Sequence, residues 1–500
     1  MKTIFLLMDS LNRHYLNAYQ SSWVQTPNID RLAARGAVFE NHYAGSLPCM
    51  PARREMMTGR LNFLESRWSP LQPYDETYPQ LLRDQASTYT HMITDYYHYF
   101  EAGGAGYHTP FNTWEFMRGQ EGDAWHPRVQ DPEVPVYRGK NRRQDWVNRT
   151  QMDLERDEDY PTPQCFRRGI DFLEHNHDQE NWLLHLEVFD PHEPFLCPQK
   201  YRDLYSDSWK GAYHFDWPPY APVDSNYEDQ DAIEHIRKCY AGTLTMADVW
   251  LGKLLDIMDQ LDLWKDTTVI LTTDHGHLLG EHGYWAKNYM FDYQRLVHIP
   301  LIVYKPEAPM NGRRVSALTT TIDLMPTLLD LHGAHPSDSV QGKSIVHLLE
   351  RDEPHHDAVL YGYFGKDVNM TDGRYTYCRQ PLPGAPAYHH TAAPVVGQKK
   401  LELYEHADFG RYLPYTPMRV YRVPEPSRNH HNAPDHHLLY DIAHDPEQSS
   451  PIRDTALEEQ FASKLLDLLR RYQAPDWQYA RIGFHEELLS DVQNDKRTEL

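Results

Sequence analysis

Mostly apolar runs without polar alternation occur at three distant places in the chain, and an aspartate follows each run. The runs cover residues 3–8, 181–189 and 267–273, and the aspartates are Asp9, Asp190 and Asp274. A short run of this kind is typical of a strand that is buried on both faces of a parallel sheet. The sequence therefore predicts three interior strands, each with a carboxylate at its carboxyl end.

Helical patterns separate these runs. Residues 28–35 follow a Thr-Pro pair, and residues 233–261 repeat apolar positions at an amphipathic spacing. Strands that alternate with helices predict an α/β fold in which helices flank a doubly wound, mostly parallel sheet. Ligands of such folds bind at the carboxyl ends of the strands, which is where the three aspartates lie.

The pattern changes near residue 356. Short strands are predicted at residues 358–364, 367–370 and 374–379, and a helix at residues 457–472 follows a stretch rich in proline and histidine. We therefore predict a large domain of residues 1–355 and a smaller α+β domain of residues 356–500. The smaller domain should contain a short antiparallel sheet and a helix.

The length and the net charge of the chain limit the number of domains and the kinds of molecule that it is expected to bind. A chain of 500 residues is too long for one ordinary hydrophobic core, and 40% hydrophobic residues supply a large interior. The formal net charge of −23 argues against nucleic acid or an anionic membrane as a partner, because both need broad basic surfaces. A small anionic substrate is compatible with this charge, since a pocket needs only a few local cations. The oligomeric state is left open.

Cysteine usage and the N-terminus indicate a compartment. The five cysteines are far apart, odd in number and without a CxxC pair, so neither a disulfide framework nor a zinc ribbon is predicted. The apolar run at the N-terminus ends at Asp9, which is too short for a signal sequence or a membrane span. We therefore expect a reduced, cytoplasmic protein that does not bind a membrane.

Residues 46–60, with the sequence SLPCMPARREMMTGR, carry the most specific signal. Cys49 stands just before a predicted helix that begins at Ala52, and Pro51 fits its first turn. The free amides and the dipole at a helix N-terminus favour an anion and lower the pKa of a thiol. A cysteine in this position alone is also typical of a buried structural residue, so the neighbouring residues decide between the two interpretations.

Those neighbours resemble a known family. Residues 49–53 (CMPAR) and 58–60 (TGR) resemble the signature of the formylglycine-dependent, type I sulfatases of the alkaline phosphatase superfamily. Residues 273–276 (TDHG) and 280–287 (GEHGYWAK) resemble the metal- and sulfate-binding block of the iduronate-2-sulfatase-like branch. The resemblance covers nearly the whole chain and implies a catalytic domain at residues 1–355. It also implies that a formylglycine-generating enzyme oxidises Cys49 to formylglycine.

A divalent metal site is expected at the strand ends. Asp9, Asp274 and His275 follow strands that can be neighbours in the predicted sheet, and residue 49 joins them by resemblance. Two carboxylates and an imidazole suit Ca²⁺, Mg²⁺ or Mn²⁺. The resemblance favours Ca²⁺. Many sulfatases have a second aspartate where this chain has Ser10, and the loss of that carboxylate makes Mn²⁺ an alternative.

Four further residues receive catalytic roles from the resemblance. Arg53 corresponds to the arginine that holds the formylglycine diol, and Lys287 to the lysine that contacts a sulfate oxygen. His192 corresponds to the histidine that protonates the departing alcohol. His98 resembles the histidine of a Gly-Lys-x-His element whose lysine is missing here, with Tyr96 or Asp95 near its place. The pairs at residues 355–356, 389–390, 430–431 and 436–437 are interpreted as histidines of solvated loops.

The resemblance predicts hydrolysis of a sulfate monoester, such as a sulfated sugar or an aryl or alkyl sulfate. One hydroxyl of the hydrated formylglycine would attack sulfur, and the other would allow sulfate to be expelled. An alternative is a phosphonate monoester or phosphodiester hydrolase that uses the same site, which the missing lysine and Ser10 favour. A non-enzymatic protein that binds sulfated glycans is a further alternative, but Cys49, Arg53 and the metal ligands are all present.

Overall fold

A large central sheet and smaller sheets organise the chain in the computed structural model, which describes residues 1–20, 22–101, 106–207, 209–393 and 404–484. The strands of the first part of the chain are β1 (Lys2–Met8), β2 (Ala37–Tyr43), β3 (Ser46–Leu47), β4 (Tyr89–Thr94), β5 (Thr113–Phe116), β6 (Trp182–Val188), β7 (Thr267–Thr272), β8 (Leu278–Leu279), β9 (Trp285–Ala286), β10 (Leu301–Tyr304) and β11 (Arg314–Thr320). The later strands are β12 (Val359–Tyr363), β13 (Val368–Thr371), β14 (Tyr375–Arg379), β15 (Pro386–Thr391), β16 (Asp408–Gly410), β17 (Val420–Pro426) and β18 (Leu438–Asp441).

Helices cover both faces of the central sheet, and further helices pack in the C-terminal part of the chain. They are α1 (Pro27–Arg35), α2 (Cys49–Thr58), α3 (Tyr78–Ala86), α4 (Arg143–Arg149), α5 (Pro161–Asn176), α6 (Gln199–Asp203), α7 (Gln230–Gln260), α8 (Gln294–Val297), α9 (Leu324–Leu331), α10 (Thr455–Arg471) and α11 (Asp476–Arg481). Within the described ranges, none of these helices is long and apolar enough to cross a bilayer.

The central sheet has eight strands in the order β11-β2-β10-β7-β1-β6-β4-β5. Every strand runs parallel to β1 except β10, which is antiparallel to both of its neighbours. The three runs predicted as interior strands are β1, β6 and β7, and they lie side by side. The prediction of a doubly wound, mostly parallel sheet flanked by helices is confirmed.

Strand β1 shows why the central strands are apolar at every position. Side chains alternate between the two faces of a strand. Ile4, Leu6 and Met8 pack into the core formed with α1, α5 and α7. Phe5 and Leu7 pack into the second core, formed with α2, α3 and α9. Because both faces are covered, a polar residue inside such a strand needs a specific partner.

The C-terminal part contains the predicted short strands as β12, β13 and β14. They form a five-stranded sheet in the order β18-β14-β13-β12-β3, and α10 packs on it through Phe461 and Leu465. Strand β3 comes from the N-terminal part and pairs in parallel with β12, Ser46 opposite Gly362. A three-stranded sheet, β15-β17-β16, follows in the region rich in proline and histidine. The domain division at residue 355 stays a prediction.

The interpretation of the histidine pairs as solvated loops is wrong for most of their members. The buried side chains are those of His355, His356, His389, His390 and His430. Two of these pairs meet buried carboxylates: His356 Nε2 lies 2.9 Å from Asp323 Oδ1, and His430 Nε2 lies 2.5 Å from Asp367 Oδ1. A polar ring is stable in the interior when its nitrogens find such partners, and spacing in the sequence did not reveal them. All five cysteines are buried and free.

Candidate active site

The carboxyl ends of β1 and β7 bring the predicted metal ligands together. These strands are parallel neighbours, so Asp9 and Asp274, which follow them, meet at one edge of the sheet. Both carboxylates are fully buried. One ligand atom each from Asp9, Cys49, Asp274 and His275 lies within 4.8 Å of the others.

Cys49 is the first residue of α2, with Pro48 as the N-cap and Pro51 in the first turn. Its side chain is 4% exposed, and Sγ lies 3.1 Å from His275 Nε2. The expectation that the helix N-terminus lowers the pKa of this thiol is wrong. Burial raises the pKa of Cys49 far above its usual range, and the charges of Asp9 and Asp274 add to this effect. Burial therefore disfavours the thiolate, which is the nucleophilic form of a cysteine.

Arg53 lies one turn after Cys49 and joins three buried carboxylates. Its guanidinium lies 2.7 Å from Asp9 Oδ2, 2.6 Å from Asp274 Oδ2 and 2.6 Å from Glu187 Oε1. Burial alone would raise the pKa of Asp9 and of Glu187, but the coulombic attraction of Arg53 holds both below their usual values. The ring of Tyr96 covers the guanidinium at 3.7 Å. Arg53 thus orients the carboxylates of the site.

Glu187 is a residue of this site that the sequence argument missed. It stands inside β6, is fully buried, and reaches Arg53 across 134 positions of sequence. A signal was available, because a carboxylate within a strand covered on both faces must have a cationic or hydrogen-bonding partner. Neither segment of the chain identifies Arg53 as that cation, because the two residues are far apart in sequence.

The donor set fits a divalent cation. His275 donates from Nδ1 to the carbonyl of Gly276 at 2.8 Å, which leaves the lone pair of Nε2 directed at Cys49 and Asp274. Asp9 and Asp274 supply hard oxygen ligands. The five buried groups Asp9, Asp274, Glu187, Arg53 and Lys287 have a net charge of −1, and the buried carboxylate of Glu193 acts on Lys287 as a further negative charge. A bound divalent cation would bring the sum of these six groups from −2 to zero.

Ser10 forms hydrogen bonds to both aspartates of the site, Asp9 and Asp274. Its hydroxyl donates to Asp9 Oδ1 at 2.8 Å and accepts from Lys287 Nζ at 3.1 Å, and its backbone N–H donates to Asp274 Oδ1 at 3.1 Å. Its φ of 59° lies in the left-handed region, which costs a non-glycine residue strain that these bonds offset. Where many sulfatases carry a carboxylate, this chain has a hydroxyl that links a ligand to a lysine.

Lys287 reaches the same centre from the segment after β9. Its side chain is 1% exposed, and Nζ lies 3.9 Å from Asp9 Oδ1. Burial would lower the pKa of Lys287, but Cys49, Glu193 and Asp9 raise it above its usual value. The ammonium therefore stays charged inside the protein.

His192 follows β6 and lies on the side of Lys287. Nδ1 donates to the carbonyl of Glu193 at 2.5 Å and lies 3.3 Å from the carboxylate of Glu193, so Nε2 is the nitrogen left for another partner. Burial lowers the pKa of His192 well below its usual value, and Lys287 contributes to the lowering. The imidazole is therefore neutral before a substrate binds.

His98 follows β4, and its ring nitrogens lie beside two glutamates. Its Nδ1 lies 2.8 Å from Glu101 Oε2 and its Nε2 3.5 Å from Glu121 Oε2. Burial lowers the pKa of His98, but the two glutamates raise it above the usual value. Of the two residues near the place of the missing lysine, Tyr96 lies against Arg53, with a buried hydroxyl that has no hydrogen-bond partner among the described residues. Asp95 instead accepts from the backbone N–H of Phe189.

The geometry agrees with comparisons to known proteins. A family model described as Sulfatase matches residues 2–334. An arylsulfatase of Clostridium perfringens is 24% identical over 399 residues, covering 73% of this chain and 82% of that protein. Iduronate 2-sulfatase of Homo sapiens is 26% identical over 347 residues, covering 61% of this chain and 60% of that protein.

A solved structure shares the fold. The crystal structure of the phosphonate monoester hydrolase of Agrobacterium radiobacter superposes with a TM-score of 0.68 at 19% identity, covering 94% of this chain and 96% of that one. This likeness confirms the predicted fold class. Since the family model spans well over half of the sequence, the chain belongs to the sulfatase family.

Proposed function

We propose that this protein hydrolyses sulfate monoesters with a formylglycine made from Cys49. The observation that carries the proposal is the position of residue 49. It lies between the oxygen and nitrogen donors of Asp9, Asp274 and His275, and the charge of Lys287 acts on it. A nucleophile at this position and an anionic substrate would thus meet cationic groups from two sides.

The chemistry of the thiol supports the modification. Burial raises the pKa of Cys49, which disfavours a thiolate as the nucleophile. Formylglycine supplies a geminal diol, one hydroxyl for attack on sulfur and one for expelling sulfate. We propose that a formylglycine-generating enzyme carries out this oxidation before the site is closed, because the folded protein leaves Cys49 only 4% exposed.

A divalent cation is the second proposed component, held by Asp9, Asp274, His275 and the side chain of residue 49. Ca²⁺ is preferred, with Mn²⁺ or Mg²⁺ as alternatives, because the protein ligands are two carboxylates and one imidazole. When bound, the cation supplies Lewis acidity toward a sulfate oxygen.

The protein's own residues complete the reaction. Arg53 holds Asp9, Asp274 and the backbone carbonyl of Cys49 in one arrangement. Lys287 binds an equatorial sulfate oxygen, and the dry surroundings strengthen that attraction. His192 Nε2 faces the leaving group. An anionic ester beside it, together with the carboxylate of Glu193, raises the pKa of the imidazole, so that it takes up a proton and delivers it to the departing oxygen.

We further propose a sulfated sugar or an aryl or alkyl sulfate as substrate. The names of the relatives support this class, since one is an arylsulfatase and another is named for a sulfate ester of iduronate, a sugar acid. The resemblance of the chain to both leaves the alcohol part of the substrate open.

A phosphonate monoester or phosphodiester hydrolase is the second candidate. The missing lysine of the Gly-Lys-x-His element and the presence of Ser10 favour this activity, and the fold is shared with the phosphonate monoester hydrolase. One anionic charge on a tetrahedral centre is common to both ester types. The ratio of turnover for an aryl sulfate and a phenyl phosphonate monoester separates the two candidates.

The test is peptide mass spectrometry of residue 49 together with these paired assays. We expect a mass lower than that of the thiol form by about 18 Da, which is the aldehyde that this type of covalent catalysis requires. Cys49→Ala should fold normally and lose turnover, whereas Cys165→Ala, a matched change at another buried free cysteine, should keep it. Substantial turnover by Cys49→Ala, or an unmodified thiol in an active preparation, would contradict the proposal.

A further inference from the structure

A group of cationic and aromatic side chains flanks the active site on the side of His192. We call it the anion wall, and its members are Lys140, Arg142, Trp217 and Tyr220. The ammonium of Lys140 lies 3.2 Å above the centroid of the Tyr220 ring and 5.6 Å from that of Trp217. The guanidinium of Arg142 lies 5.3 Å from the Trp217 ring. Two cations thus share one aromatic surface in a protein of net charge −23.

The two cations differ in whether an anionic side chain of the protein already forms an ion pair with them. Arg142 donates to the hydroxyl of Tyr97 at 2.7 Å and pairs with Glu121 at 3.1 Å. In the described part of the chain, Lys140 has no carboxylate oxygen within ion-pair distance, and its contacts are with ring faces. Burial lowers the pKa of Lys140; the attraction of Glu193 and Glu121 raises it, and repulsion by Lys287 and Arg142 lowers it further. A partly buried ammonium with no anion in direct contact is stabilised when a ligand supplies one.

The anion wall is connected to the reacting groups. The Tyr220 hydroxyl donates to Glu193 Oε1 at 2.5 Å, and Glu193 Oε2 lies 3.3 Å from His192 Nδ1 and 3.4 Å from His277 Nδ1. The charges of Glu193 and Cys49 are among the causes that, after burial, raise the pKa of Tyr220. The wall is therefore linked through Tyr220 and Glu193 to His192, the proposed proton donor to the departing alcohol.

We propose that Lys140 binds a second anionic group, a carboxylate or a sulfate, on the alcohol part of the substrate. The protein would then prefer sulfate esters whose leaving group itself carries negative charge. Trp217 is 2% exposed and the ring of Tyr220 lies under the Lys140 ammonium, so these two rings hold Lys140 in position for that anionic group. This inference rests on the proposed sulfatase function and adds the class of leaving group to it.

A matched substrate pair tests the inference. The sulfate esters of 3-hydroxybenzoate and of methyl 3-hydroxybenzoate differ in one charge and little in the leaving oxygen. We expect the wild type to show a kcat/KM about tenfold higher for the carboxylate ester, the scale of a charge-assisted contact in a partly buried site. In Lys140→Met this preference should disappear while turnover of the methyl ester stays within about twofold. Lys140→Arg should retain much of the preference.

Lys253→Met is the control variant, because Lys253 also stacks on a tryptophan, with Nζ 3.3 Å from the Trp250 ring, but lies on α7 beside Asp157 and Glu158. The control should keep the wild-type preference. An equal preference in wild type and Lys140→Met would overturn the inference while leaving the sulfatase function intact. If the wild type turns over neither ester, the proposed function fails. The inference is then decided by tryptophan fluorescence titration with 3-hydroxybenzoate, where equal binding by wild type and Lys140→Met would overturn it.

Discussion

Replacing Glu187 by glutamine tests whether the charge balance of the active site controls the binding of a cation. The substitution keeps the shape of the side chain and removes one of the three carboxylates around Arg53. The net charge of the five buried groups rises from −1 to zero. Arg53, no longer shared with Glu187, then interacts more strongly with Asp9 and Asp274, which are the proposed ligands.

Two magnitudes follow from this geometry. The contact between Arg53 Nε and Glu187 Oε1 is 2.6 Å long and fully buried. Loss of a hydrogen bond between charged groups costs about 1.5–3 kcal/mol, so the free energy of unfolding should fall by roughly 2 kcal/mol. A partner that supports metal ligands from behind contributes about 10–100-fold to metal affinity, so Ca²⁺ or Mn²⁺ should bind at least about tenfold more weakly.

The pH dependence has a definite sign. Arg53 holds the pKa of Glu187 below its usual value of 4.5. The stabilisation from this glutamate is therefore present above about pH 4.5 and is lost as the pH falls through the lower pKa of the folded state. The difference in stability between wild type and Glu187→Gln should be largest at neutral pH and should shrink below pH 4.5.

Urea unfolding at several pH values measures the stability, and calorimetric titration of chelator-treated protein measures the cation affinity. Glu228→Gln is the control, because Glu228 is also buried and pairs with Arg138 at 2.9 Å, outside the five charged groups. It should lower stability without changing cation affinity. Unchanged cation affinity in Glu187→Gln, or an equal loss in the control, would refute the reasoning.

Two further changes probe the same region. Ser10→Ala removes the hydroxyl that donates to Asp9 and accepts from Lys287. We expect the free energy of unfolding in urea to fall by about 1 kcal/mol and kcat/KM for an aryl sulfate to decrease. Unchanged kinetics would contradict a positioning role for Ser10. Burial raises the pKa of Asp95 from 3.8 to about 7, so its contribution to stability is present below pH 3.8 and is lost as the pH rises through about 7. Asp95→Asn cannot ionise at this position, so its stability should not fall over this pH range. Its free energy of unfolding relative to wild type should rise by about 1.4 kcal/mol per pH unit between pH 5 and 7. Parallel pH profiles of stability for the two proteins would contradict this prediction.

Much of the fold was predictable because β1, β6 and β7 are covered on both faces and must be apolar throughout. The same argument located Asp9 and Asp274 at one edge of the sheet. It failed for Cys49, where the helix N-terminus indicated a lowered pKa, because burial and two nearby carboxylates outweigh the partial charge of the helix end. The sign of that shift depends on surroundings that are distant in sequence.

Side-chain pairing was the part that the sequence could not predict. Glu187 and Arg53 are 134 positions apart, and no pattern in either segment predicts that the two side chains form a pair. The two residues of β3 are too few to show a periodic pattern, so their pairing with β12 was not anticipated. The sequence does not predict the burial of His430, because its carboxylate partner, Asp367, lies in another part of the chain.

Strand β3 has a consequence for how parts of this chain can be exchanged with those of relatives. Ser46 and Leu47 pair with Gly362 and Tyr363, and Cys49 follows two positions later. A fragment that stops near residue 355 would leave the backbone groups of residues 46–47 without these partners, at a cost to the segment that leads into α2 and Cys49. A chimera that replaces the C-terminal sheet must therefore conserve the edge formed by β12. The boundary for a transplant lies between strands of one sheet, not in the connection between two domains.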